Sequence, residues 1–131
     1  MAARWAKANK IAGYYVVLKV FGGYRSCADQ PQGWHQYAPG GSLDLQAGYS
    51  AVVSPGFFRY DQKTPMLPRD PARFRKDATT VATSGAPFQL VTTFNEWGEG
   101  TSVESTTDWP SKDGHGVYID ILHEVFGAHP R

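Results

Sequence analysis

Leu90 to Glu104 reads LVTTFNEWGEGTSVE. Its opening residues are apolar, aromatic or β-branched, the composition of a strand, and they run directly into Asn95, Glu96, Trp97, Gly98, Glu99 and Gly100. The pattern predicts a strand from Phe88 to about Phe94 with an acidic, aromatic turn past its C-terminal end. Gly98 and Gly100 let the backbone bend sharply there, so that Glu96 and Glu99 can converge on one small group. Parallel α/β architectures gather their functional loops at this end of the strands.

Upstream lies the clearest helix start in the chain. Asp70 stands at the N-cap, Pro71 at the first helical position, and Phe74, Ala78 and Val81 form one apolar stripe before Gly85. Before it, YSAVVSPGF (Tyr49 to Phe57) reads as a strand broken by Pro55-Gly56. YYVVLKVF (Tyr14 to Phe21) is nearly continuous in apolarity, as in a strand buried on both faces. A short helix from Ala2 to about Lys10, stopped by Gly13, precedes it. Tyr24 to Gly48, rich in Gly, Pro and Gln, is predicted as one long loop, and loops of that length are usually functional or disordered. Downstream, GVYIDILHEVF gives a last helix with Val117, Tyr118, Ile121, Leu122 and Val125 at helical spacing. The order α, β, loop, β, α, β, α predicts an α/β fold whose parallel strands are joined by right-handed crossovers.

Composition narrows the partners. Thirteen Lys+Arg against twelve Asp+Glu leave a net charge of +1, which removes the electrostatic case for nucleic acid or an anionic membrane surface. The longest apolar run, YYVVLKVF, is far too short to span a bilayer, and no signal-peptide core follows the first residues. No compartment is assigned. Cys27 is the only cysteine, which excludes an intrachain disulfide and a cysteine-ligated zinc cluster and reads as a buried or idle thiol. There is no Gly-rich phosphate loop and no G-x-S-x-G, so no cofactor is expected. No metal is expected either, since His35 has no second ligand at the right spacing.

The carboxylate pair carries the chemistry. Cleaving a glycosidic bond uses one carboxylic acid to protonate the leaving oxygen and one carboxylate to act on the sugar. Two glutamates in a surface loop are also, commonly, just solvated charges. Around them, Asn95 reads as a sugar-hydroxyl ligand or a loop cap, and Trp97 as a stacking platform or a strand anchor. Glu104 orients a hydroxyl or pairs with a loop arginine. Trp34, His35 and Tyr37 lie in the long loop and are candidates for substrate contact. Arg59, with Tyr60 and Asp61, either meets substrate hydroxyls or forms an Arg–Asp pair. Asp108 and Trp109 are candidates for a flap.

TTFNEWGEGTSVE resembles the FNEW-x-EGT-x-E signature of the family 99-like glycoside hydrolases, which include the endo-α-1,2-mannosidases. VVSPGFF, RDPARFR, SGAPFQLVTTF and the final STTDWPSKDGHGVYIDILHEVF resemble the last two βα units of that family, and WHQYAP does so more weakly. The resemblance implies a partial (β/α)8 (TIM) barrel with about three strands present. Residues 1–131 would then form a single domain, the C-terminal portion of such a barrel. It implies a mannose-type glycan as substrate, with Glu96 as the base toward the sugar 2-hydroxyl and Glu99 as the general acid. The mannosidases tend to carry His where this chain has Gly98, so one donor near the sugar is lost. A closed barrel typically needs about 250 residues. Three parallel strands leave two open edges, so a homo-oligomer or the remainder of a barrel is expected to complete the sheet.

Overall fold

The computed structural model describes residues 1–128. Helix α1 (Ala2–Ala12) ends at Gly13, whose φ of 65° is the left-handed cap that glycine adopts without strain. Strand β1 (Val17–Lys19), a 3-10 turn (Tyr24–Ser26) and strand β2 (Gly33–His35) follow. Strands β3 (Leu43–Gln46) and β4 (Ser50–Val53), helix α2 (Pro71–Thr83), strand β5 (Phe88–Val91) and helix α3 (Val117–Ala128) complete the order.

The parallel barrel fragment expected from the sequence is corrected here. The strands form two sheets: β1 and β2 pair in parallel, and a second, mixed sheet has the order β3-β4-β5. Within it β3 runs antiparallel to β4 (Leu43 opposite Val53), while β4 and β5 are parallel (Ser50 opposite Phe88). The physical reason is a tight hairpin. Tyr49 N–H donates to Gln46 O at 2.8 Å, and Gly48 sits at φ 80°, so the chain folds straight back with no crossover helix. The connection from β1 to β2 also lacks an α-helix and holds only the 3-10 turn. Regular alternation of strand and helix is thereby lost, and the predicted 24–48 loop proves to contain two strands.

Other expectations hold at residue level. Asp70 accepts hydrogen bonds from the backbone of Ala72 and Arg73 at 2.9 and 3.1 Å, with Pro71 as the first residue of α2. The stripe of α2 (Phe74, Ala78, Val81) is fully buried against Ala51 and Val53 of β4 and Tyr118, Ile121 and Val125 of α3. Strand β4 is central, with no residue from Ser50 to Val53 more than 2% exposed. By contrast, the run Tyr14 to Phe21, read as a strand buried on both faces, forms a strand only at Val17–Lys19 and leaves Tyr14, Tyr15 and Phe21 exposed. A smaller cluster joins Ala2, Val16, Leu18 and Trp34. Among the described residues no helix is long and apolar enough to cross a membrane.

Parallel pairing of β4 with β5 sends both chains out at the same pole, where the loops after them meet. The segment after β2 is tied to that pole by two hydroxyls. Thr92 Oγ1 donates to Tyr37 O at 2.7 Å, and Ser54 Oγ donates to Pro39 O at 2.9 Å.

A candidate carboxylate site

Past β5 the chain closes on itself. Thr93 N–H donates to Thr101 O at 2.9 Å, and Glu104 N–H donates to Phe94 O at 2.8 Å. The turn between is shaped by Thr93, whose hydroxyl accepts from Glu96 N–H at 3.0 Å, and by Gly100 at φ 63°. A Cβ on Gly100 would meet Phe58 only at ordinary contact distance, 3.4 Å from its backbone nitrogen, so it is the left-handed conformation that asks for glycine here. Phe58 N–H in turn donates to Glu99 O at 2.9 Å, which binds the loop after β4 to the turn.

Glu99 is half-buried, and its Oε2 accepts from the Tyr37 hydroxyl at 2.9 Å. Glu96 is exposed, with Oε1 accepting from Gly98 N–H at 3.1 Å. The Tyr37 hydroxyl is pushed up from 10.0 to about 12. Burial is the main cause, followed by the hydrogen bond to Glu99 and the charge of Glu99. Thr101 opposes it, and the charge of Glu96 adds to it. Glu99 is thereby bonded to a phenol contributed from far away in sequence, while the Glu96 carboxylate is bonded within its own turn.

This has a spectroscopic consequence. The fold favours the neutral phenol, so the contribution of Tyr37 to stability is complete below pH 10 and is lost as pH rises through about 12. The alkaline absorbance titration of the native chain minus that of Tyr37→Phe is expected to isolate one phenol ionising near pH 12. Glu99→Gln should lower that midpoint. A difference curve centred at pH 10, insensitive to Glu99→Gln, would contradict the arrangement.

The remaining candidates separate. Trp97 stacks on Trp109 (centroids 5.3 Å apart, planes at 11°), and its Nε1 donates to Glu104 Oε2 at 2.8 Å. Glu104 thus holds a tryptophan instead of pairing with a loop arginine. Asn95 is exposed, and its carbonyl accepts from Trp97 N–H at 3.0 Å within the turn. Arg59 is spent on Asp61 at 2.7 Å, on the surface. Trp34 lies not in a loop but on β2, with no exposed surface. Its ring packs against Tyr24 at 4.8 Å, and its Nε1 donates to Gln30 Oε1 at 2.8 Å. It is a core residue, and His35 follows it on the same strand with its carbonyl bonded to Val20.

Two residues important to the loop have roles that the sequence does not show. Arg69, half-buried, places its guanidinium 3.7 Å over the Trp109 ring and 4.3 Å over that of Tyr118. It also donates Nη1 to Gly100 O at 2.9 Å and Nη2 to Ser102 O. Trp109, a flap candidate by position, is instead fixed. Its carbonyl accepts from Val117 N–H at 2.8 Å, and the loop behind it is tied to α3 through Ser111 and His115, both bonded to Asp120. Those contacts, Ser111 first, hold the Asp120 carboxyl below its usual range. Among the described residues no three His, Cys, Asp or Glu side chains gather as metal ligands do.

No family model, curated protein or solved structure matches the chain. A functional reading therefore stands on the motif resemblance and on this geometry.

Proposed function

We propose that Glu96 and Glu99 form the carboxylate pair of a glycoside hydrolase-type site that acts on a mannose-type glycan. The observation that carries this is the Tyr37 hydroxyl, bonded to Glu99 at 2.9 Å and within the field of Glu96. Glu99 alone contacts the phenol, and Glu96, in the same turn, adds only its charge. Roles follow the family resemblance. Glu96 takes the proton of the sugar 2-hydroxyl, and that oxygen attacks the anomeric carbon to give an anhydro-sugar. Glu99 protonates the departing glycosidic oxygen, and water then opens the anhydro ring with the protons returned through the same pair. Tyr37 orients Glu99 throughout. The test is direct: incubate the purified chain with an α-mannose oligosaccharide and assay new reducing ends. Release is expected from the native chain and not from a Glu96→Gln, Glu99→Gln double variant. Equal release by both, or none from either, rejects the reading.

The sheet edges favour a second, non-catalytic reading. Among the described residues β1 pairs only with β2, and β5 forms ladder pairs only with β4. Each strand thus offers one open edge, a template for self-assembly into a carbohydrate-binding or structural oligomer. Sedimentation should then give a defined dimer or larger species, and a clean monomer at micromolar concentration rejects assembly.

A further inference from the structure

Beside the carboxylate turn lies a cavity of about 390 Å³, within the range of small-molecule sites. Phe57, Phe58, Leu67, Pro68, Trp97 and Trp109 supply its apolar lining. The side-chain donors at its walls are committed elsewhere or hidden from it. Arg69 gives Nη1 to Gly100 O and Nη2 to Ser102 O, while its Nε is buried without a partner. Trp97 Nε1 donates to Glu104. A hydroxyl-rich ring entering this space would give up its bonds to water and find few in return, which is costly for each group left unmatched. A flat apolar ring loses nothing of that kind and gains contact with aromatic faces. Gly100, a wall residue, is the neighbour of Glu99, and Phe58 is bonded to the Glu99 carbonyl at 2.9 Å, so the cavity adjoins the backbone of the carboxylate turn.

We infer that this cavity binds a planar, apolar aryl group and not a further sugar unit. Resting on the function proposed above, that group is the aglycone of the substrate: the site takes a glycoside whose leaving side carries an aromatic ring. The cavity then discriminates by exclusion, since an oligosaccharide's next residue meets a mostly apolar surface that offers few hydrogen-bonding partners.

Calorimetric titration of the full chain with 2-naphthol tests the cavity without requiring catalysis. Saturable one-to-one binding is expected, unchanged in Glu99→Gln. It should be at least tenfold weaker in Phe58→Ala, which opens one wall. Pro65→Trp, an exposed rim position of the cavity, is the second variant in case Phe58→Ala fails to fold, and it should block entry to the same extent. In the Glu99→Gln background, where leaving-group chemistry plays no part, 2-naphthyl α-mannoside should bind at least tenfold more tightly than methyl α-mannoside. Absence of naphthol binding, binding indifferent to both cavity variants, or equal affinity for the two mannosides overturns the inference. Naphthol binding without hydrolysis of any mannoside keeps the aryl site and removes the carboxylate reading. Hydrolysis without naphthol binding does the reverse.

Discussion

Glu99→Gln is expected to lower the rate of mannoside cleavage by about 10²- to 10⁴-fold, the usual worth of a positioned general acid. The substitution is nearly isosteric and keeps an oxygen that accepts from the Tyr37 hydroxyl, now at 2.9 Å from Glu99 Oε2. What it removes is the proton that the leaving oxygen needs. The backbone link from Phe58 N–H to Glu99 O at 2.9 Å is untouched, so the thermal melt should barely move. Tyr37→Phe makes the informative comparison. It removes the orienting donor and leaves the acid in place, so a loss nearer tenfold, with a displaced pH profile, is expected. If Tyr37→Phe cost as much as Glu99→Gln with no change in pH profile, the phenol would be holding the loop together and not orienting an acid. If neither variant changed the rate, the carboxylate assignment would be wrong.

What the sequence disclosed and what it hid have separate physical causes. Helix α2 is legible because its signals are local: Asp70 caps, Pro71 starts, and Phe74, Ala78 and Val81 fall on one face. Strand β4 is legible by its Val52 and Val53 before Pro55-Gly56, whereas the apolar run Tyr14 to Phe21 misleads, since Tyr14, Tyr15 and Phe21 are exposed. The β2 and β3 strands, of three and four residues, are too short for a period of two to stand out from loop composition. Their identity comes from pairing partners elsewhere in the chain. One unrecognised hairpin, Gln46 to Ser50, then converts a chain that reads as parallel throughout into a mixed sheet. The site divides in the same way. Glu96 and Glu99 stand out because they are neighbours in sequence, whereas Tyr37 meets Glu99 across 62 residues. Trp34 has the composition of a ligand contact and the burial of a core residue, and only the packing distinguishes the two.

Arg69 is the residue on which the architecture of the site should prove most dependent. Arg69→Met keeps much of the side chain's length and apolar stem but removes the fork that serves Gly100 O and Ser102 O. Ser102 has no exposed surface, so water cannot replace the lost donor there without opening the loop. Hydrogen bonds from a charged group contribute about 1.5 to 3 kcal/mol each, and a guanidinium over an aromatic ring about 0.5 to 2 kcal/mol. These contributions overlap, and a destabilisation of about 3 to 5 kcal/mol is expected from the urea midpoint, a large share of a typical domain's stability. Arg69→Lys should recover only part of it, because an ammonium cannot reach two carbonyls while lying flat on Trp109. The loss should also be felt by the phenol. Arg69 secures Gly100 and Ser102, and Gly100 follows Glu99 directly, so a loosened turn should bring the Tyr37 ionisation down from about 12 in Arg69→Met. A variant destabilised by less than about 1 kcal/mol, within the range of ordinary surface changes, would show that the turn holds its shape through its own backbone bonds. The Thr93–Thr101 and Phe94–Glu104 links would then be sufficient to present Glu96 and Glu99 together.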